Sequence, residues 1–283
     1  MELLDFDLRL NGRPGFKDLY FLGDIHLGSA NCDEEKFEED VDEIAKNKDA
    51  VWIGMGDYCE FITPSDVRFE GKSVADWIKV KDMDDLPIRQ AREFIKRTKL
   101  IHSKALGLLA GNHENTIRKR YHQDIHNFIC VMMNTKNMGY VSFCRLKLFC
   151  PKELTARKII TLFAEHGAGG GRLLGGKVTN LDRKRQDIRA NIYVRGHVHE
   201  KMDFDRVSVS LPSHGEIRLI EEPQLLIISG SYLRTLSRTG ASSYTECASF
   251  PLVPLGCKAV RIKLGKQSEN GKRNEKMEIW RLK

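Results

Sequence analysis

Polar residues suited to metal chemistry recur at one kind of position in this chain, at the end of a short apolar run and close to a glycine. The runs are LYFLGDIH (19–26), VWIGMGD (51–57), LGLLAGNHE (106–114), ITLFAEHG (160–167) and NIYVRGHVH (191–199). Each run is short enough for a single buried strand, so the polar groups fall at strand ends. Ligands bind at the carboxyl edge of open α/β sheets, where such loops converge.

These polar residues form a ligand set for two metal ions. Asp, Asn and His without cysteine thiolates suit divalent ions such as Mn²⁺, Fe²⁺ or Zn²⁺, of which we expect Mn²⁺ first. Two ions about 3.5–4 Å apart need roughly seven protein ligands, including a bridging carboxylate. Any one motif alone is more often an ordinary turn than a metal site, but all five in order favour a metal site. The candidate ligands are Asp24, His26, Asp57, Asn112, His166, His197 and His199.

Composition places few limits on function. The 283 residues carry a net charge of +7, which permits a polyanionic partner without requiring one. The seven cysteines form no C-x-x-C pair, which favours reduced thiols over a disulfide framework or a zinc ribbon. No apolar run approaches the ~18–20 residues of a membrane helix, and the acidic N-terminus does not resemble a signal peptide. These features predict a soluble, cytoplasmic protein without a membrane partner.

The order of elements predicts an α/β fold of one domain over residues 1–283. Helical patterns at 33–48, 84–104, 115–133 and 178–189 alternate with the apolar runs. After residue 200 the pattern changes to antiparallel strands at 204–211, 215–221, 224–229, 257–264 and 276–282. We expect two sheets packed face to face with helices outside, the region from about 200 to 283 completing the second sheet.

The motifs D-x-H, G-D, G-N-H-E, H-G and G-H-x-H, in this order between about residues 18 and 230, resemble those of the calcineurin-like metallophosphoesterases. The resemblance implies a two-sheet β-sandwich flanked by helices, a four-layer α/β/β/α arrangement. It implies that one metal is held by Asp24, His26 and His199, and the other by Asn112, His166 and His197. Asp57 would bridge the metals, and His113 would protonate the leaving oxygen. Hydrolysis would proceed by in-line attack of a metal-bridging hydroxide.

Two branches of this family compete. GDIHLG, GDYCE and GNHE are similar to the motifs of Ser/Thr protein phosphatases, but Glu60, Phe61 and Ala110 replace residues of that pattern. Two arginines that clamp a phosphomonoester dianion are thereby missing. The G-H-x-H motif is typical of the phosphodiesterase and DNA-repair nuclease branch. We therefore expect a phosphodiester substrate in nucleic acid (DNA or RNA) or nucleotides, with nucleic acid as the leading class. The alternatives are a phosphomonoesterase and a non-catalytic binding protein on this scaffold.

Three basic residues are candidates for substrate binding. Arg118 lies in a basic segment after GNHE, while Arg172 and Lys177 follow the glycine-rich stretch after His166. Charge runs on helices are more often solvated faces, and the stretch could be a plain connection. His122 and His126 have the i, i+4 spacing of a zinc pair, but without a third ligand we expect an exposed helix face. Protein partners are not predicted.

Overall fold

A computed structural model describes residues 1–12, 15–152, 154–169, 171, 173–237, 246, 249–269 and 272–283. The helices are α1 (Glu34–Lys46), α2 (Leu86–Arg97), α3 (Asn112–Tyr121), α4 (Ile125–Met132), α5 (Leu174–Asp182) and α6 (Lys184–Asp187). The first six strands are β1 (Glu2–Arg9), β2 (Gly15–Leu22), β3 (Ala50–Gly54), β4 (Ala105–Leu108), β5 (Lys136–Asn137) and β6 (Val141–Phe149). The others are β7 (Lys158–Glu165), β8 (Ile192–Arg195), β9 (Lys201–Ser210), β10 (Ile220–Ser231), β11 (Gly256–Glu269) and β12 (Lys272–Arg281).

The strands form two half-sheets. In the first, the order is β1-β6-β7-β8-β10-β9, with β7, β8 and β10 parallel. In the second, it is β12-β11-β2-β3-β4-β5, with β2 to β5 parallel. The halves join where Gly230 and Ser231 of β10 pair with Cys257 and Gly256 of β11. The strands after residue 200 are therefore divided between both halves.

Three apolar layers hold the halves and helices together. A central core takes residues from both half-sheets, among them Leu146 and Ile227 from the first and Phe21 and Ile53 from the second. A second core lies between the second half-sheet and α1 to α4. A third lies outside the first half-sheet, where Leu181 of α5 is fully buried. The predicted α/β/β/α architecture is confirmed.

Helix α1 shows how the sequence dictates these elements. The side chain of Asp33 accepts a hydrogen bond from the amide of Lys36 and so caps the first turn. Phe37, Val41 and Ile44, three to four residues apart, form the buried face. Acidic residues in the first turn and Lys46 in the last complement the helix dipole. The predicted interval 33–48 matches this helix closely.

The structure differs from the sequence-based expectations in several elements. The helix predicted over 115–133 is interrupted, because His122 adopts a left-handed conformation and Asp124 caps a new helix. His126 is consequently buried at 5% exposure, and the expected exposed face is wrong for it. Strands β1 and β6 were not predicted, and most of 215–221 precedes β10. Within the described ranges, no helix is both long and apolar enough to cross a membrane.

Candidate metal centre

The seven candidate ligands follow five strands that end at the same side of the sandwich. Strands β2, β3 and β4 run parallel in one half-sheet, as do β7 and β8 in the other. Backbone pairing continues past the strand ends, since the amide of Asp24 donates to the carbonyl of Gly56 at 2.9 Å. The amide of His197 donates to the carboxylate of Asp24 at 2.9 and 3.0 Å and thereby links the two half-sheets.

One ligand group consists of Asp24, His26 and His199. Their donor atoms all lie within 4.8 Å of one another. Nε2 of His26 lies 3.1 Å from Nε2 of His199, which is 3.5 Å from Oδ1 of Asp24. Asp24 is fully buried and His26 is 3% exposed, so these polar groups face one another away from bulk water.

A second group surrounds His166, which is fully buried. Nε2 of His166 lies 3.0 Å from Oδ1 of Asn112 and 3.3 Å from Oδ2 of Asp57. Nδ1 of His197 lies 2.7 Å from the same Asn112 oxygen. The donor atoms of Asp57, His166 and His197 lie within 4.8 Å of one another.

The second group fits a cation. Nδ1 of His166 donates to the carbonyl of Met55 at 2.7 Å, which leaves Nε2 of the neutral ring with a lone pair. That lone pair faces an amide oxygen and a carboxylate oxygen, both acceptors. Burial opposes protonation, yet Asp57 and Asp24 more than offset it and raise the pKa of His166 to about 10. A metal ion could bind the Nε2 lone pair and the two oxygen atoms together, in place of the proton that otherwise lies between them.

Backbone strain is concentrated in the candidate ligands. Positive φ is uncommon for residues other than glycine and costs of order 1–3 kcal/mol where it is strained. Ten described non-glycine residues have positive φ. Five of them are candidate ligands, namely Asp24 (φ 49°), His26 (54°), Asp57 (51°), His197 (67°) and His199 (51°). Strain of this kind clusters at functional sites, which supports a functional role for this region.

Close packing explains why glycine occupies position 111 in the GNHE segment. A Cβ atom at Gly111 would collide with Oδ1 and the amide nitrogen of Asp57. The amide of His113 donates to the same Asp57 oxygen at 2.9 Å. Glycine therefore allows α3 to begin directly against the carboxylate that is expected to bridge the metals.

His113 lies beside the first ligand group. Its ring centroid is 4.8 Å from that of His26, with the two rings nearly perpendicular. Nδ1 of His113 donates to the backbone carbonyl of Glu60, which leaves Nε2 available to the site. Burial opposes its charge, but Asp57 and Glu60 raise the pKa of His113 above the ordinary histidine value. A histidine that is protonated near neutral pH is suited to act as a general acid.

Two carboxylates support the site without having been assigned a role from the sequence. Glu114 is 1% exposed and accepts hydrogen bonds from the amides of Asp57, Tyr58 and Gly111 at 2.8–3.0 Å. Burial, with the charge of Asp57, raises the pKa of Glu114 to about 7. The carboxylate of Glu60 lies 2.9 Å from Nδ1 of His26. Glu114 could have been found as a glutamate in the third helical position of α3, from which its side chain accepts a hydrogen bond from the N-cap amide of Gly111.

Ser231 is a further residue that the motifs did not reveal. Its hydroxyl donates to the carbonyl of Asp24 at 2.9 Å, and the amide of Tyr232 donates to the same oxygen at 3.0 Å. These bonds fix the backbone of Asp24 from the end of β10. The sequence offers no local signal for this, because the two residues lie 207 positions apart.

The structure places the three basic candidates differently. Arg118 is exposed on α3, six residues after Asn112. Lys177 is 2% exposed, and its Nζ lies 3.1 Å from the carboxylate of Glu200, the residue after His199. Arg172 lies outside the described residues. A role for Lys177 in holding phosphate would require this ion pair to open.

Comparisons with known proteins give little more. No family model and no curated protein matches the sequence. Among solved structures, vacuolar protein sorting 29 from Cryptosporidium parvum aligns over 94% of this chain and 99% of its own, with 13% identity and a TM-score of 0.39. A conserved uncharacterized protein from Streptococcus pneumoniae, a predicted phosphoesterase, aligns over 93% and 99%, with 13% identity and a TM-score of 0.33. Vps29 from Entamoeba histolytica, complexed with Zn²⁺, aligns over 93% and 98%, with 8% identity and a TM-score of 0.35. Similarity this low carries no statement about the function of this chain.

Proposed function

We propose that this chain is a single-domain, calcineurin-like metallophosphoesterase that binds two divalent metal ions and hydrolyses phosphodiester bonds. One observation carries the proposal: the donor atoms of two adjacent groups, Asp24, His26 and His199 in one and Asp57, His166 and His197 in the other, lie close together in a mostly buried site, with His113 beside the first group. Asp24, His26 and His199 would hold one ion, Asn112, His166 and His197 the other, and Asp57 both. The full ligand set argues against a non-catalytic scaffold. We propose Mn²⁺ as the metal and the cytoplasm as the location.

The chemistry follows from the positions of these residues. Bound divalent ions lower the pKa of water and neutralise phosphate oxygens as charge develops in the transition state. His113 would donate the proton on Nε2 to the leaving alkoxide, because Nδ1 is engaged by the carbonyl of Glu60. The carboxylate of Glu114 accepts hydrogen bonds from the amides of Asp57 and Gly111, and so ties the loop after β3 to the start of α3. Displacement at phosphorus would be direct and in line.

A diester fits this site better than a monoester. The positions at which the Ser/Thr phosphatase motifs carry arginine are occupied by buried Phe61 and Ala110. Glu60, next to Phe61, adds a carboxylate whose pKa, despite burial, is lowered by its hydrogen bond with His26. A phosphomonoester dianion would be repelled by this negative charge and would have no arginine to pair with two of its oxygens. A diester carries one charge fewer and therefore depends less on such an arginine.

Nucleic acid is the substrate class that we propose first. Arg118, Lys119 and Arg120 are exposed in the last turns of α3, the helix that begins with Asn112. Nη1 of Arg120 lies 3.0 Å from Oδ2 of Asp66, and this ion pair fixes the position of the Arg120 side chain. The net charge of +7 would favour association with a polyanion. A nuclease that acts on flexible strands or exposed ends would use this surface beside the metal centre.

The deciding experiment compares two small substrates. The protein is stripped of metal with chelator, supplied with Mn²⁺, and assayed with bis-p-nitrophenyl phosphate and p-nitrophenyl phosphate. We expect faster cleavage of the diester, followed by activity on single- and double-stranded DNA or RNA. Faster cleavage of the monoester would favour a phosphatase. Absence of both activity and bound metal would favour the binding-protein alternative.

A further inference from the structure

Glu60 contacts two candidate site residues through two different atoms. Its carboxylate oxygen Oε2 lies 2.9 Å from Nδ1 of His26. Its backbone carbonyl accepts a hydrogen bond from Nδ1 of His113. One residue therefore touches both a candidate metal ligand and the candidate acid, and its side chain and backbone serve different partners.

The carboxylate of Glu60 determines the orientation of His26. Because a carboxylate accepts from Nδ1–H, the lone pair of the His26 ring resides on Nε2, which faces His199 at 3.1 Å. An outer carboxylate of this kind fixes the tautomer and the orientation of a metal-ligating histidine and raises its basicity. The second group has a different arrangement, since His166 donates Nδ1–H to the carbonyl of Met55.

The carbonyl of Glu60 is held independently of its side chain. The amide of Glu60 donates to the carbonyl of Leu27 at 3.0 Å. The next amide, that of Phe61, donates to Oε1 of Gln90 at 2.8 Å, and Gln90 is 1% exposed. A substitution of the side chain should therefore leave the hydrogen bond to His113 in place.

We infer that Glu60 is a positioning residue whose side chain stabilises only one of the two metal ions, the one held by Asp24, His26 and His199. The inference rests on the proposed function. Removal of the carboxylate frees the His26 ring to rotate but leaves in place the ligands of the other ion and the hydrogen bond between Nδ1 of His113 and the backbone carbonyl of Glu60. The affinity of one metal site should then fall while the affinity of the other stays unchanged. General destabilisation of the fold would instead weaken both.

The test is a Mn²⁺ titration of the chelator-stripped full chain by calorimetry, with bound metal counted by elemental analysis. We expect Glu60→Ala to weaken one of two sites by about 10- to 100-fold and to leave the other within about twofold. Glu60→Gln should restore most of the affinity, because its amide oxygen accepts the same hydrogen bond.

Glu39→Ala is the matched control, because Glu39 is an exposed α1 carboxylate with 68% side-chain exposure and an ion pair to Lys36. Its two affinities should not change. If Glu60→Ala gives no cooperative unfolding transition, Glu60→Asp replaces it, since the charge is kept while the reach to His26 is shortened by about one carbon–carbon bond. We expect Glu60→Asp to weaken the same single site.

Two results would overturn the inference: unchanged affinities at both sites, or equal weakening of both. A third result concerns the proposed function itself. If the original protein binds fewer than two ions, the dinuclear proposal fails and this inference fails with it. If it binds two ions but hydrolyses no phosphoester, the proposed activity fails, and the affinities of the Glu60 variants still decide the role of Glu60.

Discussion

The backbone amide of His197 donates to both carboxylate oxygens of Asp24, at 3.0 and 2.9 Å, across the boundary between the two half-sheets. Asp24 follows β2 in one half and His197 follows β8 in the other. Each is a candidate ligand of a different ion. The separation of the two candidate ligand groups thus depends on a contact between loops that belong to different half-sheets.

Replacement of His113 separates metal binding from turnover. His113→Ala removes the candidate proton donor but none of the seven candidate ligands. We expect bound metal to be unchanged and kcat for the diester to fall by ~10²–10⁴. Steady-state kinetics with metal analysis measures both. His122→Ala at the exposed end of α3 is the control, and a His113→Ala enzyme with full activity would contradict the assignment.

Gly111→Ala should damage both stability and metal binding. The new methyl group would overlap the carboxylate and amide of Asp57. We expect a loss of about 1–3 kcal/mol in the free energy of unfolding, as overpacking typically costs. Urea denaturation and metal counting test this. Gly71→Ala is a matched control, because no heavy atom lies within 4 Å of its added Cβ. Equal effects at both positions would show that the Asp57 contact is unimportant.

Stability should decrease in mild acid because of His126. Burial lowers the pKa of this histidine from 6.5 to about 4. Below pH 6.5 the unfolded chain binds a proton that the folded protein does not take up until about pH 4, so acid favours unfolding. The stabilisation from neutral His126 is complete above pH 6.5, and about 3 kcal/mol is lost as the pH falls to 4.

The measurement for His126 is the free energy of unfolding in urea between pH 7 and pH 4.5. His126→Phe retains a ring beside Tyr58, with which the imidazole stacks at 6.3 Å, but it cannot titrate. Its stability should depend less steeply on pH over this range. Identical slopes for the two proteins would mean that the pKa of His126 is the same in the folded and unfolded states.

If the basic surface of α3 binds nucleic acid, Arg118→Ala should alter the salt dependence of hydrolysis. Loss of one phosphate contact reduces the slope of log affinity against log salt concentration by about one. We expect a higher KM for oligonucleotides and no change for bis-p-nitrophenyl phosphate. Lys46→Ala, on α1 with 79% side-chain exposure, is the control. A change that is equal for both substrates would argue against a nucleic-acid contact.

The gathering of the candidate ligands could be predicted because it depends on a local pattern. Each ligand follows a strand, and parallel strands end at a common edge, so sequence order alone places Asp24, Asp57 and Asn112 together. The contacts of Glu60 and Ser231 could not be predicted in this way. They depend on loop conformations and on residues 34 and 207 positions distant. That Asp24, Asp57 and Asn112 bind metal, and that Glu60 and Ser231 support them, are predictions for experiment.

Long-range pairing also explains the elements that were missed. Strand β1 pairs in parallel with β6, so that Phe6 lies opposite Leu146. The alternation of Phe6 and Leu8 with polar residues was present in the sequence, but its partner lies about 140 residues away. The break between α3 and α4 had a local signal in Asp124, whose side chain accepts from the amide of Asn127. The helical periodicity on either side obscured it.

In the described part of the chain, strand pairing connects the two half-sheets at two residue pairs, between the end of β10 and the start of β11. Ser231, which is part of this junction, and the next residue, Tyr232, both donate hydrogen bonds to the carbonyl of Asp24. This junction therefore acts as a pivot between the two half-sheets, and the candidate ligands of the two groups lie on either side of it. A small rotation of one half-sheet against the other would open or close the distance between Asp24 and His197. The distance between the two candidate ligand groups therefore depends on how closely the two half-sheets pack against each other.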